Sequence, residues 1–274
     1  MLHKKITFIG AGNMAASIIS GLVKSGYPAD FICASEPNKA NTQKLVEQFA
    51  ITGNQDNRAS ADWAEVVVLA VKPQIMADVC QTLIEQGVDF SNKLVISIAA
   101  GVSVQRLQSL LGENTAVIRT MPNTPSLLQK GMTGLFASTQ VSQENKTFAG
   151  DLMAAVGETL WIQEESMINA VTAASGSSPA YFFLFMEAMQ NKAIEMGFAP
   201  EQARLLVMQS ALGSIEMVKQ NPDLEISTLR ENVTSKGGTT AQALTTFNEL
   251  QLSEIVAKAM QAASDRGAEM EKLF

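Results

Sequence analysis

Ser235-Lys236-Gly237-Gly238-Thr239-Thr240 sets two glycines and two threonines directly ahead of a helical pattern that runs from Ala241. Glycine lets the backbone turn with positive φ and come close to a ligand. A helix N-terminus then offers unpaired N–H groups and the positive end of its dipole to an anion. The threonine hydroxyls add uncharged donors. The chemistry that fits this run is capture of a carboxylate beside a neutral hydroxyl. A second glycine-rich run, Gly10-Ala11-Gly12-Asn13-Met14-Ala15, has the form G-x-G-x-x-(G/A). It follows a strand pattern and opens a helix pattern, the context a dinucleotide fingerprint requires. There Gly10 makes the tight turn, Gly12 lets the backbone approach a pyrophosphate, and Ala15 permits close helix–strand packing. Two anion-binding loops in one chain suggest a nucleotide cofactor and a small acidic substrate.

The second strand pattern ends Ala34-Ser35-Glu36-Pro37-Asn38-Lys39. An acid there suits the ribose diol of NAD, whereas a small hydroxyl with nearby cations suits the extra phosphate of NADP. Both kinds of residue are present. Ser35 lies closest to the strand end, with Lys39 and Arg58 as candidate phosphate partners, and the balance points to NADPH with NADH as the alternative. Ala70-Val71-Lys72-Pro73 lies at the carboxyl end of a buried strand pattern, where ligands bind in open α/β sheets. Ser97-Ile98-Ala99-Ala100-Gly101-Val102 ends the next strand pattern with small residues that leave room for a nicotinamide ring. Met121-Pro122-Asn123-Thr124-Pro125 occupies the same position one strand later.

A nicotinamide cofactor implies hydride transfer. Reducing a ketone also needs a proton donor, usually His or Lys. The one histidine, His3, stands at the N-terminus, away from the carboxyl edge of the strands. In the helical half, Phe182 and Phe183 stand where a catalytic lysine would be sought, and Lys192 follows several turns later as a surface charge. An imine differs from a ketone because its nitrogen is basic and can arrive already protonated. It needs only orientation, a hydrogen-bond partner and a carboxylate pocket. Thr240 can supply the hydrogen bond. Ser177 and Ser178, ahead of Pro179, form a second hydroxyl-rich helix start that either shares the carboxylate or simply caps a helix.

The elements that must position these residues divide into two parts. Residues 1–163 alternate strand and helix patterns, which predicts a Rossmann-type, doubly wound parallel sheet with right-handed crossovers. Val66-Val67-Val68-Leu69-Ala70-Val71 is a continuous apolar run suited to a strand buried on both faces. Residues 164–274 carry no strand signal. Helices are predicted over Ser166–Ser175, Pro179–Met196, Pro200–Gln220, Thr239–Glu249 and Ser253–Lys272. The Pro179 helix is apolar nearly all round and must be covered on several sides. The expectation is a helical domain that dimerises, since large apolar patches mark interfaces.

The chain has 274 residues, 46% hydrophobic and 17% charged, as expected of a well-packed globular protein. A net charge of −7 argues against nucleic-acid binding. No apolar stretch is long enough to span a membrane, and the N-terminus runs into a strand pattern with no signal-peptide core. A cytoplasmic location is expected. Cys33 and Cys80 fall inside apolar patterns and are expected to be buried free thiols. One His and two dispersed Cys give no metal constellation.

Six ordered motifs carry a resemblance to pyrroline-5-carboxylate reductases from end to end. They are Phe8-Ile9-Gly10-Ala11-Gly12-Asn13-Met14, Ala70-Val71-Lys72-Pro73, Ser97-Ile98-Ala99-Ala100-Gly101, Met121-Pro122-Asn123-Thr124-Pro125, Ser175-Gly176-Ser177-Ser178-Pro179-Ala180-Tyr181 and Ser235-Lys236-Gly237-Gly238-Thr239-Thr240. The resemblance implies NADPH-dependent reduction of 1-pyrroline-5-carboxylate to L-proline. It also implies a Rossmann domain, a helical dimerisation domain, and often a ring of dimers (a decamer). By motif, the cofactor is expected against Gly10, Ala11, Gly12, Asn13, Met14, Ser35, Asn57, Ala70, Val71, Lys72 and Pro73. Ile98, Ala99 and Ala100 are expected near the nicotinamide. The substrate is expected against Ser177, Ser178, Asn232, Ser235, Gly237, Gly238, Thr239 and Thr240, with the Thr240 hydroxyl near the imine nitrogen. This chain departs from the family pattern at Lys236, where proline is usual, and in a longer stretch from Asp223 to Thr228. Competing readings are a β-hydroxyacid-type dehydrogenase, which requires a lysine where Phe182-Phe183 stand, and an NADPH-binding sensor without turnover.

Overall fold

The computed structural model describes residues 3–274. Its first part alternates β1 (Ile6–Ile9), α1 (Asn13–Lys24), β2 (Ile32–Ser35), α2 (Lys39–Phe49), β3 (Thr52–Asn54), α3 (Asn57–Trp63), β4 (Val66–Leu69), α4 (Pro73–Glu85), β5 (Leu94–Ser97) and α5 (Val104–Leu111). It continues with β6 (Ala116–Met121), β7 (Gly131–Ala137), α6 (Gln143–Ala154) and β8 (Gly157–Trp161). The strands form one sheet in the order β3-β2-β1-β4-β5-β6-β7-β8. The strand order reverses beside β1, and this switch point is where an open α/β sheet leaves a crevice outside its carboxyl ends.

Side chains alternate across the sheet. Ile6, Phe8, Val66, Val68 and Ile96 join one hydrophobic cluster, while Ile9, Val67, Leu69, Val95 and Val117 join the cluster on the other face. All four residues of β4 are fully buried. Each such aliphatic side chain contributes roughly 1.5–3 kcal/mol. The strand is shorter than the apolar run predicted. It stops at Leu69, and Pro73 opens α4 as a first-turn residue.

The sheet is not wholly parallel, contrary to expectation. β6 and β7 pair antiparallel, with Ile118 opposite Ala137 and Thr120 opposite Leu135. They are joined by a 3-10 turn, Thr124–Leu128, and a parallel partner would require a crossover of a dozen or more residues. β3 carries no apolar alternation, and the sequence pattern does not predict it. Its residues are exposed or half-buried at the sheet edge.

The remaining elements are α7 (Met167–Val171), a π-helical turn (Thr172–Gly176), α8 (Ser178–Glu195), α9 (Pro200–Gln220), α10 (Ile226–Asn232), α11 (Thr239–Glu249) and α12 (Leu252–Leu273). The single helix expected over Ser166–Ser175 is thus a short α-helix running into a π-turn. The stretch from Asp223 to Thr228 leads into α10. By internal contacts the chain forms two compact units, one running to Ser177 together with Ala262–Phe274, the other Ser178–Gln261. This division differs from the 163/164 split read from the sequence. The chain passes β8 and completes α7 and the π-turn before leaving the first unit, and the end of α12 belongs to that unit as well.

The second unit has little interior of its own. Pro179, Ala203, Val207 and Leu229 are its buried residues in α8, α9 and α10, and α11 has none. On α8, Phe182, Phe183 and Leu184 are 59%, 63% and 67% exposed.

Candidate functional site

The Gly10 turn is built for close approach. Its φ is +105°, and a Cβ there would fall 2.6 Å from the carbonyl oxygen of Ala70. Its N–H donates to the Ser35 carbonyl at 2.8 Å. Gly12 is the N-cap of α1, has no side-chain cap, and would meet nothing within 4 Å if it carried a Cβ. The first N–H groups of α1, beginning at Asn13, therefore face open space with the dipole's positive end behind them. Met14, the next residue, packs against the core.

A cavity of about 570 Å³ opens at these strand ends, lined by Gly10, Ala11, Gly12, Ser35, Glu36, Asn57, Ala70, Val71 and Lys72, among others. Eight residues expected at the cofactor thus line this cavity together with Glu36, at or near the carboxyl ends of β1, β2 and β4. Asn13 and Met14 continue from Gly12 into α1, and Pro73 opens α4 next to Lys72. The open glycine turn, the uncapped helix and the sheet-edge cavity fit a dinucleotide.

Ser35 differs from expectation in how it acts. It is fully buried, and its hydroxyl donates to Asn57 Oδ1 at 2.7 Å. It orients Asn57 rather than lying open at the crevice. Arg58 pairs with Asp62 at 3.6 Å. Lys72, exposed at the N-cap of α4, is the cation of the cavity wall. Glu36 has a role the sequence pattern did not reveal. Its Oε2 accepts the Ala11 N–H at 2.9 Å and its Oε1 accepts Asn41 Nδ2 at 2.5 Å. The carboxylate staples the end of β2 to the glycine turn, and only the three-dimensional proximity of the two strand ends makes that contact visible.

Ile98, Ala99 and Ala100 follow β5. Ile98 N–H donates to the Leu69 carbonyl at 3.2 Å, and Ala99 N–H to Ser97 Oγ at 3.3 Å. Gly101, at φ +73°, turns the loop. Asn123, one strand further, is a bracket. Its Oδ1 accepts the Met132 N–H at 2.9 Å and its Nδ2 donates to the Ser175 carbonyl at 3.1 Å. That side chain ties the end of β6 to β7 and to the π-turn.

The substrate-side residues fall on two helix starts. Ser177 ends the π-turn, its N–H reaching the Thr172 carbonyl at 2.8 Å, and Ser178 opens α8. In the helical unit, Asn232 ends α10 and Gly238 is the N-cap of α11, again without a side-chain cap. Gly237 has φ +72°, and a Cβ on Gly238 would lie 2.5 Å from Ser235 Oγ. Glycine at 238 is what lets the Ser235 hydroxyl sit over the helix start. Thr239 and Thr240 are the first two residues of α11 and are exposed, as is Lys236.

His3, Lys192 and the two cysteines have other surroundings. His3 packs its ring edge-on against Tyr27 at 5.1 Å, at the amino end of β1. Lys192 pairs with Glu195 on the surface at 2.9 Å. Cys33 and Cys80 are buried free thiols, and burial raises the pKa of both, that of Cys80 to about 12 against the opposing field of Arg106. Among the described residues no cluster of three or more His, Cys, Asp or Glu is arranged to hold a metal, and no helix is long and apolar enough to cross a membrane.

Residues 165–270 match the family model for the pyrroline-5-carboxylate reductase dimerisation domain, and residues 5–101 match the model for NADP oxidoreductases, coenzyme F420-dependent. A pyrroline-5-carboxylate reductase of Vibrio alginolyticus is 61% identical over the full length of both chains. The structure of a pyrroline-5-carboxylate reductase from Coxiella burnetii superposes with a TM-score of 0.92 at 40% identity, covering 98% of this chain and 99% of that one. That of Plasmodium falciparum pyrroline carboxylate reductase, with NADP bound, gives 0.88 at 28% identity over 99% of each chain.

Proposed function

The chain belongs to the pyrroline-5-carboxylate reductase family, and we propose that its two uncapped helix starts divide one reaction between them, NADPH-dependent reduction of 1-pyrroline-5-carboxylate to L-proline. The crevice at β1, β2 and β4 holds the cofactor through Gly10, Ala11, Gly12, Asn13, Met14, Ser35, Asn57, Ala70, Val71, Lys72 and Pro73. Ser35 acts there by orienting Asn57. Ile98, Ala99 and Ala100 flank the nicotinamide. When bound, the reduced nicotinamide supplies a hydride.

The chain's own residues bind and orient the imine. The N–H groups at the start of α11, exposed by Gly237 and Gly238, take the substrate carboxylate, aided by Ser177, Ser178, Asn232, Ser235 and Thr239. Thr240 hydrogen-bonds at the imine nitrogen. The imine carbon accepts the hydride, and the nitrogen keeps the proton it brought, so no acidic side chain is required. The observation that carries this reading is the Gly237–Thr240 helix start, which offers a bare anion site and neutral hydroxyls, while His3 and Lys192 are engaged elsewhere. The exposure of Phe182 and Phe183, with no lysine in their place, weighs against a β-hydroxyacid dehydrogenase.

The poorly covered helical unit supports a homo-oligomer, a dimer at least, with a ring of dimers as its larger form. Residues 1–163 then serve the cofactor, and 164–274 serve substrate and dimerisation. Spectrophotometric loss of NADPH with pyrroline-5-carboxylate tests the function. Tight NADPH binding without turnover would favour a sensor, and turnover of a hydroxyacid but not the imine would favour the dehydrogenase.

A further inference from the structure

We propose that Arg119 is a positioning residue for the nicotinamide-side loop, acting through Glu165 and Glu271, so that the last helical turn of the chain belongs to the active-site framework. The inference rests on the reading that Ile98–Ala100 face the nicotinamide.

Arg119 lies on β6 and is 1% exposed. Its Nη1 donates to Glu165 Oε1 at 2.9 Å. The same carboxylate oxygen accepts the N–H of Val104 at 2.7 Å. Val104 is the first residue of α5, so this contact fixes the far end of the loop that begins at Ile98. The guanidinium's Nη2 donates to Glu271 Oε1 at 2.7 Å. Next to Glu271, Met270 packs directly on the loop's turn: a Cβ on Gly101 would fall 2.7 Å from Met270 Cβ. One buried guanidinium thus holds the loop from two sides. Its near end is fixed independently, by Ile98 N–H on the Leu69 carbonyl and by Thr120 Oγ1 on the Ser97 carbonyl at 3.0 Å.

Helix stability does not account for this arrangement. A carboxylate in the last turn of α12 opposes the helix dipole. An apolar side chain in place of Arg119 would pack β6 at lower desolvation cost. What the ion pairs do supply is geometry, because a guanidinium fork fixes the direction of each carboxylate it binds. Asn169 reinforces this, donating to Glu271 Oε1 at 3.1 Å from α7.

The test uses the full-length protein with Glu271→Ala, Glu271→Gln and Arg119→Lys. Three quantities are measured: amide hydrogen exchange over residues 98–104 without cofactor, affinity for adenosine bisphosphate (which lacks the nicotinamide half), and kcat at saturating substrates. In Glu271→Ala, exchange at 98–104 is expected to quicken, with adenosine bisphosphate affinity unchanged. Its kcat is expected to fall on the order of ten- to a hundred-fold, the usual result of a small misplacement of reacting groups. Glu271→Gln, which keeps an acceptor oxygen, should recover part of both effects. Unchanged exchange with normal kcat would overturn the proposal. So would a fall in kcat matched by an equal loss of adenosine bisphosphate affinity, which would mark a general structural defect. A wild-type protein inactive on the imine would instead overturn the functional reading, and the exchange data would still decide whether the loop depends on Glu271.

Discussion

Glu271, in the last helical turn of the chain, holds the buried guanidinium of Arg119 at 2.7 Å. The contact ties the end of α12 to the middle of the sheet. Truncating Arg119 to alanine would leave Glu165 and Glu271 facing a vacated site. Loss of one partner of a buried pair costs about 3–5 kcal/mol. Both carboxylates are about a quarter exposed, 24% each, so the lower end of that range is expected. Urea unfolding of Arg119→Ala followed by tryptophan fluorescence measures it, and a midpoint equal to wild type would refute the network's structural weight.

The two glycines of the cofactor turn should fail differently. Gly12→Ala meets no steric obstacle and has an ordinary φ of −76°. It should fold normally and lose NADPH affinity, because the added methyl stands where the ligand must approach. Gly10→Ala collides with the Ala70 carbonyl at positive φ and should lose stability as well, by about 1–3 kcal/mol. Thermal melts paired with NADPH fluorescence titrations separate the two. Equal melting losses in both variants would contradict the distinction.

Thr240→Val should lower kcat on the order of a hundred-fold, the scale of removing one donor aimed at a reacting atom. NADPH affinity should stay within about two-fold, since Thr240 belongs to the substrate side. Parallel loss of cofactor binding would show that the hydroxyl serves the wrong ligand.

Much of this was legible in the sequence. Gly10 and Gly237 announce themselves because their positive φ favours glycine, and Gly12 because a side chain there stands where a ligand approaches. The Val66–Leu69 run announces a strand buried on both faces. β3 was not legible, since an exposed edge strand has no apolar alternation to detect. The antiparallel direction of β7 was not legible either, because apolar pattern is blind to strand direction. Nothing in the local sequence singles out Arg119. Its partner Glu165 lies 46 residues away and Glu271 further still, and no local spacing rule connects them. Ser35 lies beside the cavity with its hydroxyl on Asn57, and its residue type gives no sign that Asn57 takes the hydroxyl inward.

Glu36 should bias the cofactor choice. A carboxylate pinned beside the glycine turn repels an added phosphate and suits a bare ribose diol. Glu36→Gln should therefore raise the ratio of NADPH to NADH in kcat/KM. Its amide can still accept the Ala11 N–H, so the turn itself should survive. An unchanged ratio would place the phosphate away from the end of β2.

Stability should fall at alkaline pH. Cys80 ionises near 9.0 when unfolded and about 12 when folded, raised by burial. Tyr27 rises from 10.0 to about 12, again chiefly by burial. In both cases the unfolded chain releases its proton first. The stabilisation is full below pH 9 and is lost as pH climbs towards 12. Denaturant midpoints across that window should drop, and Cys80→Ala should flatten the slope. A slope identical to wild type would show that the thiol does not titrate as its burial demands.

The exposed face of α8 should prove to be an oligomer contact. Phe183→Glu is expected to shift sedimentation towards the monomer, since a charge on an apolar contact costs several kcal/mol. An unchanged sedimentation coefficient would place the interface elsewhere.

The most direct measurement is incubation of the purified chain with NADPH and pyrroline-5-carboxylate, following absorbance and the amino-acid product together. One L-proline formed per NADPH consumed, abolished or sharply slowed in Thr240→Val, is the predicted result. NADPH bound tightly but never consumed in the presence of the imine would contradict the account.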